Sequence, residues 1–141
     1  MKKIFPNRTT YKLPDWYSDL AHKLGFRRIS RMIVGRNYYI NLNNGDVCNV
    51  TKTGKLKTLK PERTAQGYLR VHLKMANGSY KKIRIHRLIG LFIENHKHKA
   101  EINHINLDKA NNDISNLEWV THEENVKHYQ QSIKKEAQNE Q

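Results

Sequence analysis

Residues 103–128 read Asn-His-Ile-Asn-Leu-Asp-Lys-Ala-Asn-Asn-Asp-Ile-Ser-Asn-Leu-Glu-Trp-Val-Thr-His-Glu-Glu-Asn-Val-Lys-His. The span combines the pieces that phosphodiester hydrolysis requires. A neutral imidazole can take a proton from water near pH 7. Side-chain oxygens can hold a hard cation such as Mg²⁺, which steadies a leaving alkoxide. The ring also needs orienting through its second nitrogen, and an Asn side chain or a backbone oxygen can accept that hydrogen bond. Singly, none of these residues is diagnostic. Asn-rich loops are commonly turns, because Asn tolerates left-handed backbone, and Trp119 with Leu117 is more simply core. Order and spacing together carry the signal.

The elements that must position these residues follow from local pattern. Asn103-His104 end a strand-like run from Ala100 to Ile105, and a loop with Asn111, Asn112 and Asn116 follows. Leu117-Glu-Trp-Val120 can pair back as a second strand. Thr121-His-Glu-Glu124 is a capping box that opens a helix. This strand–loop–strand–helix order brings Asn125, in the first helical turns, towards Asn103 and His104. Upstream, His86–Ile93 has helical spacing, with Leu88, Ile89, Phe92 and Ile93 apolar, and His96–Lys99 is a polar loop. Two hairpins precede it. Tyr38–Leu42 and Val47–Val50 flank Asn43-Asn-Gly-Asp46; Tyr68–Lys74 and Tyr80–Ile85 flank Ala76-Asn-Gly-Ser79. Asn-Gly between alternating runs is a strong hairpin signal. In the second hairpin Leu69, Val71, Leu73, Ile83 and Ile85 alternate with Arg70, His72, Lys74, Lys82, Arg84 and His86, giving one apolar and one basic face. The basic face is the expected phosphate-binding surface; its alternative is a solvated outer face. Asp15–Gly25 reads as a short helix with Trp16, Leu20 and Leu24 on one side, and Arg27–Arg31 as a basic connector. Residues 1–14 read as an irregular basic arm, and the polar tail beyond Ile133 frays.

Composition bounds the reading. The 141 residues carry 26 Lys+Arg against 13 Asp+Glu, a formal net charge of +13. The charge is segregated: residues 1–88 hold 20 Lys+Arg and 4 Asp+Glu, a net of +16, whereas residues 89–141 hold 6 and 9, a net of −3. A basic surface of that size concentrates polyanions, because each neutralised phosphate releases condensed counterions. The longest apolar stretch, Leu88–Ile93, is far short of the roughly 20 residues a bilayer needs, and no basic helix with a large apolar face suggests a membrane surface. The single Cys48 excludes an internal disulfide framework and a Cys-based zinc site. No secretory signal is visible, so a cytoplasmic location is expected.

Here the chain resembles a known family. Asn103-His104-Ile, Asn111-Asn112, Asn116-Leu-Glu-Trp-Val-Thr121 and Glu124-Asn125 look like the HNH homing endonucleases of bacteriophages and group I introns. His86-Arg-Leu-Ile, Gly67-Tyr-Leu-Arg-Val-His-Leu and a small β-rich module over residues 38–60 fit the same family, so the resemblance covers residues 38–129. It implies an α+β fold, in which a small antiparallel β-rich N-terminal part precedes a ββα-metal nuclease unit. The expected organisation is an arm and short helix over 1–37, a β-rich DNA-binding module over 38–88, the nuclease unit over 89–133 and a disordered tail over 134–141. The resemblance makes His104 the general base and Asn116 the residue that orients its ring. Asn103 and Asn125 become ligands of one divalent metal, Mg²⁺ first and Mn²⁺ second, with no zinc. The product would carry a 5′-phosphate and a 3′-hydroxyl. His122 and His128 lie near Asn125 and are expected at phosphate, with His128 also the weaker alternative to Asn125 as a ligand. His86 reads as structural. Arg70, His72, Lys74, Lys82 and Arg84 are the expected DNA contacts.

Relatives often carry Asp where this chain has Asn103, and a neutral amide binds Mg²⁺ less strongly than a carboxylate. Relatives with long target sites usually add a C-terminal DNA-binding region, so recognition here must come from the first 88 residues or specificity is low. The expected partner is double-stranded DNA, met by a monomer or, for two cuts, a dimer, in the host cytoplasm if the chain is phage-encoded. The alternative is a non-catalytic DNA-binding module derived from such a nuclease; an RNA-binding protein would leave residues 103–125 unexplained.

Overall fold

The computed structural model describes residues 15–94 and 97–139. The expected arm at 1–14, together with residues 95, 96, 140 and 141, lies outside the described residues. The chain order is α1 (Asp15–Lys23), β1 (Phe26–Arg28), β2 (Tyr38–Asn41), β3 (Val47–Val50), β4 (Leu56–Thr58), β5 (Glu62–Arg63), β6 (Leu69–Lys74), β7 (Tyr80–Arg84), α2 (Ile85–Gly90), β8 (Glu101–His104), β9 (Leu117–Val120) and α3 (His122–Asn139). The fold is mixed α+β, with every pairing antiparallel: a four-stranded sheet β1-β2-β3-β4, a three-stranded sheet β5-β6-β7 and the hairpin β8-β9.

Both Asn-Gly hairpins form. In the first turn the Asn44 Oδ1 accepts from the Asp46 N–H (2.9 Å), and Gly45 takes φ +82°, a left-handed value that disfavours any side chain. In the second, Asn77 Oδ1 accepts from the Ser79 N–H (3.0 Å). The register Arg70↔Arg84, His72↔Lys82 and Lys74↔Tyr80 puts the expected cations on one face, while Val71 opposes Ile83 on the other.

Four expectations change. The segment around Arg27 is not a plain connector: Phe26–Arg28 is a strand, and Val34 bridges to Met75, tying the first sheet to the second. In α1, Leu20 and Leu24 are exposed, and Ala21 packs with Tyr39, Val50 and Phe26 instead. The small Ala lets the helix approach the sheet, which turns the larger leucines outward. The helix α3 runs to Asn139, so residues 134–139, expected as disordered tail, are helical. Finally, α2 crosses the expected boundary between residues 88 and 89. One buried cluster joins Ile29, Ile40 and Val47 of the first sheet region, Leu73 of the second, Leu88 and Ile89 of α2, and Ile102 and Leu117 of the last hairpin. Each such aliphatic contributes roughly 1.5–3 kcal/mol on burial, so the hairpin is braced by the upstream sheets. No helix among the described residues is long and apolar enough to cross a membrane.

Candidate active site

The β8–β9 register pairs Glu101 with Val120, Ile102 with Trp119, Asn103 with Glu118 and His104 with Leu117. The Trp119 indole N–H donates to the Gly90 carbonyl (3.1 Å), which docks the hairpin on α2. Between the strands, short polar side chains fold the loop upon itself. Asn106 Oδ1 accepts from the Asp108 N–H, Asp108 Oδ1 from the Ala110 N–H, and Asp113 Oδ1 from the Ser115 N–H, all within 3.0 Å. These side chains supply the turns that hydrophobic burial cannot. The following helix starts with a reciprocal capping box. The Glu124 N–H donates to Thr121 Oγ1 and the Thr121 N–H to Glu124 Oε1, both at 3.1 Å.

This frame buries His104 to 5% exposure. Its Nε2 lies 3.0 Å from Asn112 Oδ1. An amide oxygen only accepts, so Nε2 carries the hydrogen and Nδ1 keeps its lone pair. Burial pushes the His104 pKa below the ordinary 6.5, and the Asn112 contact acts in the opposite direction. The imidazole is therefore neutral at pH 7. His86 is buried edge-on to it, with ring centroids 5.0 Å apart, and burial holds His86 at a pKa of about 3. Tyr68 packs on both rings, at 5.0 Å from His86 and 5.9 Å from His104. Above Tyr68 sit the Arg84 guanidinium (4.4 Å from the ring centroid) and the Lys109 ammonium (5.0 Å).

The expected role of Asn116 needs correcting. Both ends of its amide close the loop: Nδ2 donates to Asn106 Oδ1 (2.9 Å) and the Asn111 carbonyl (3.0 Å), and Oδ1 accepts from the Asn106 N–H (2.9 Å). Asn112 is the residue on the ring.

Asn103, His104 and Asn125 come together on the wall of a cleft of about 360 Å³, with Tyr68, Lys109 and Tyr129 around them. A second cleft of about 310 Å³, lined by Arg84, His86, Arg87 and Glu101, shares Tyr68 and Asn125 with the first. Asn103 Nδ2 donates to Glu118 Oε1 (3.0 Å), and Asn125 Nδ2 donates to Glu101 Oε1 (3.3 Å). Each amide thus has its nitrogen held by a carboxylate, and its oxygen is the end left for a cation. Two hard oxygen donors beside a neutral imidazole suit a divalent metal of the Mg²⁺ type. Among the described residues, no group of three or more His, Cys, Asp or Glu side chains could hold a metal without them.

Comparison with known proteins bears on this arrangement. Residues 94–127 match the family described as HNH endonuclease. This matched segment, the HNH unit below, spans β8, β9 and the start of α3. An uncharacterized HNH endonuclease of Acanthamoeba polyphaga mimivirus is 39% identical over 95 residues, covering 62% of this chain and 28% of that protein. The DNA endonuclease I-HmuI of Bacillus phage SP01 is 36% identical over 90 residues, covering 63% of this chain and 49% of that protein. A solved structure of I-HmuI, described as DNA binding and cleavage by the HNH homing endonuclease, superposes with a TM-score of 0.63 at 30% identity, covering 76% of this chain and 58% of that one. The chain spans about a quarter to a half of the length of the curated relatives it matches.

The HNH unit contains His104, Asn116, Asn125 and His122, while His128 lies one residue beyond it. The two histidines expected at phosphate are each hydrogen-bonded to a residue of the unit. His122 Nδ1 donates to Glu101 (2.9 Å), and His128 Nε2 donates to the Ile105 carbonyl (3.0 Å), pinning α3 to the loop. Outside the HNH unit, the basic face carries Arg70, His72, Lys74, Lys82 and Arg84, as read from the alternation, but it is partly self-neutralised. Arg70 and Lys82 both hold Glu62, Lys82 at 3.4 Å. Arg84, over Tyr68, links this face to the cleft. The sequence alone assigns no role in the site to Asn112, Tyr68, Lys109, Glu101 or Glu118. Asn112 was one of several equivalent amides, and Glu118, a charge between Leu117 and Trp119, was the readable signal.

Proposed function

We propose that the chain is a divalent-metal-dependent DNA endonuclease of the HNH homing type, with His104 as general base. The single observation that carries this reading is that His104, held from behind by Asn112, lines the cleft that Asn103 and Asn125 share. The neutral imidazole, its Nε2–H committed to Asn112, takes a proton from water at Nδ1. The water oxygen attacks phosphorus, the P–O3′ bond breaks and the departing 3′-oxygen takes a proton from solvent, so the products carry a 5′-phosphate and a 3′-hydroxyl. Asn103 and Asn125 would hold Mg²⁺ or Mn²⁺ through their amide oxygens. When bound, that metal supplies positive charge against the departing 3′-oxygen. Lys109 and Arg84, both against the Tyr68 ring, attract the phosphates of the strand, and the basic face of β6–β7 holds the flanking duplex.

Purified protein incubated with supercoiled plasmid and Mg²⁺ should yield nicked or linear DNA, and EDTA should stop the reaction. His104→Ala should lose about 10²–10⁴-fold in rate and still bind duplex. Equal cutting by this variant would remove His104 from its role. Binding without any cutting by the wild-type chain would favour the DNA-binding module instead.

A further inference from the structure

Asn103 and Asn125 reach the cleft from different elements, β8 and α3, yet each is held in the same way. A carboxylate of the hairpin accepts a hydrogen bond from the amide nitrogen: Glu118 from Asn103 at 3.0 Å and Glu101 from Asn125 at 3.3 Å. The first contact is a direct cross-strand pair, because Asn103 faces Glu118 in the β8–β9 register. The second crosses from strand to helix, and His122 Nδ1 donates to the same carboxylate at 2.9 Å. An amide held by its nitrogen cannot flip, so its oxygen is kept for a ligand. A charged acceptor also polarises the amide and makes that oxygen a stronger donor. Two neutral ligands bring no charge to a divalent cation, whereas Glu118 and Glu101 bring two negative charges, each one hydrogen bond behind its amide.

We propose that Glu118 and Glu101 are positioning residues for the divalent cation. They orient the Asn103 and Asn125 oxygens and supply, from behind them, the negative charge that a neutral ligand pair lacks. This rests on the nuclease reading above and assigns the paired carboxylates a role within it. Glu118 is exposed and Glu101 half-buried, so neither is needed to fill the core.

The test is Mn²⁺ binding to the full chain without DNA, followed by the electron paramagnetic resonance of free Mn²⁺, alongside the Mg²⁺ dependence of plasmid nicking. Glu118→Gln keeps an acceptor oxygen but removes the charge; Glu118→Ala removes both. Outer-shell partners of metal ligands typically contribute about 10–100-fold in affinity. Affinity should therefore fall about 10-fold in Glu118→Gln and further in Glu118→Ala. The half-saturating Mg²⁺ for nicking should rise in parallel, while turnover at saturating Mg²⁺ stays near that of the wild type. Glu101→Gln should move both readouts in the same direction, and it carries the test if Glu118→Ala does not fold. Wild-type affinity in Glu118→Gln and Glu101→Gln, with the parent chain binding Mn²⁺ and nicking plasmid, would overturn this proposal and leave the nuclease reading intact. A parent chain that binds no Mn²⁺ and cuts nothing would overturn both.

Discussion

Asn112 Oδ1 sits 3.0 Å from His104 Nε2, and Asn116, four residues on, makes no such contact because its amide closes the loop. The two asparagines should therefore fail differently. Asn112→Ala orphans the single buried His104 N–H, at about 1–3 kcal/mol, and at a temperature where it is folded should also lose about 10–100-fold in nicking rate, because the ring is no longer held in one tautomer. Asn116→Ala removes three part-buried hydrogen bonds that close the loop. It should lower stability by about 2–4 kcal/mol, at about 1 kcal/mol per bond plus the cost of orphaned partners. Thermal melts paired with plasmid nicking separate the two. Full activity in Asn112→Ala would show that the contact does not prepare the base.

The contrast marks how far the sequence could be read. The strands around Asn43–Asp46 and Ala76–Ser79, the capping box at Thr121 and Glu124, and the place of His104 at the end of a strand all followed from local chemistry. Asn-Gly turns and S/T-x-x-E boxes act over four residues, and the structure keeps them. What was not legible depends on distant partners. Residues 106–116 hold several Asn and Asp side chains, each able to close a turn, and spacing alone does not say which one remains for the histidine. The strand Phe26–Arg28 has no alternation to betray it and forms because β2 offers an edge. Glu62 reads as a stray charge in a basic half until Arg70 and Lys82 are brought beside it.

That last pairing makes a prediction of its own. Glu62 is solvent-exposed, and its carboxylate is held below the ordinary range by the Arg70 and Lys82 hydrogen bonds. It occupies two cations that the proposed function assigns to phosphate. Glu62→Gln should tighten duplex binding at low salt. It should also steepen the dependence of log K on log salt by about one to two units, at about 0.9 per added phosphate contact. Fluorescence anisotropy with a labelled duplex across a salt series reads both quantities. An unchanged slope would mean that these cations do not reach the DNA.

The buried histidines make stability depend on pH. The folded-state pKa of His86 is depressed from 6.5 to about 3 by burial, with His104, Arg84 and Arg87 adding to it, and that of His104 is depressed in the same direction. Below pH 6.5 the unfolded chain takes up protons that the folded chain refuses. Stability is therefore complete above 6.5 and falls as pH drops from there towards 3, by about 1.4 kcal/mol per unit for His86 alone. Urea midpoints between pH 7.5 and 5 test this before the carboxylates titrate. His86→Phe should remove most of the slope and leave the share of His104. A flat profile in the wild-type chain would mean that both rings are protonated in place.

Gly45 couples the first sheet to the site. A Cβ at this position would lie 2.8 Å from Asn112 Cβ and 2.9 Å from Ile85 Cγ2, at φ +82°. Gly54 supplies the control, since it has nearly the same φ, +84°, but an added Cβ there would meet nothing within 4 Å. Both alanine variants meet the same left-handed backbone, at about 1 kcal/mol. Only Gly45→Ala also meets packed neighbours, at about 1–3 kcal/mol more, and one of those neighbours holds His104. Gly54→Ala should thus lose about 1 kcal/mol and cut plasmid at the parental rate. Gly45→Ala should lose about 2–4 kcal/mol and, at a temperature where both variants are folded, nick more slowly as well. Equal nicking by the two would show that the β2–β3 turn supports Asn112 without setting its position, and that the loop's own hydrogen bonds suffice to aim the ring.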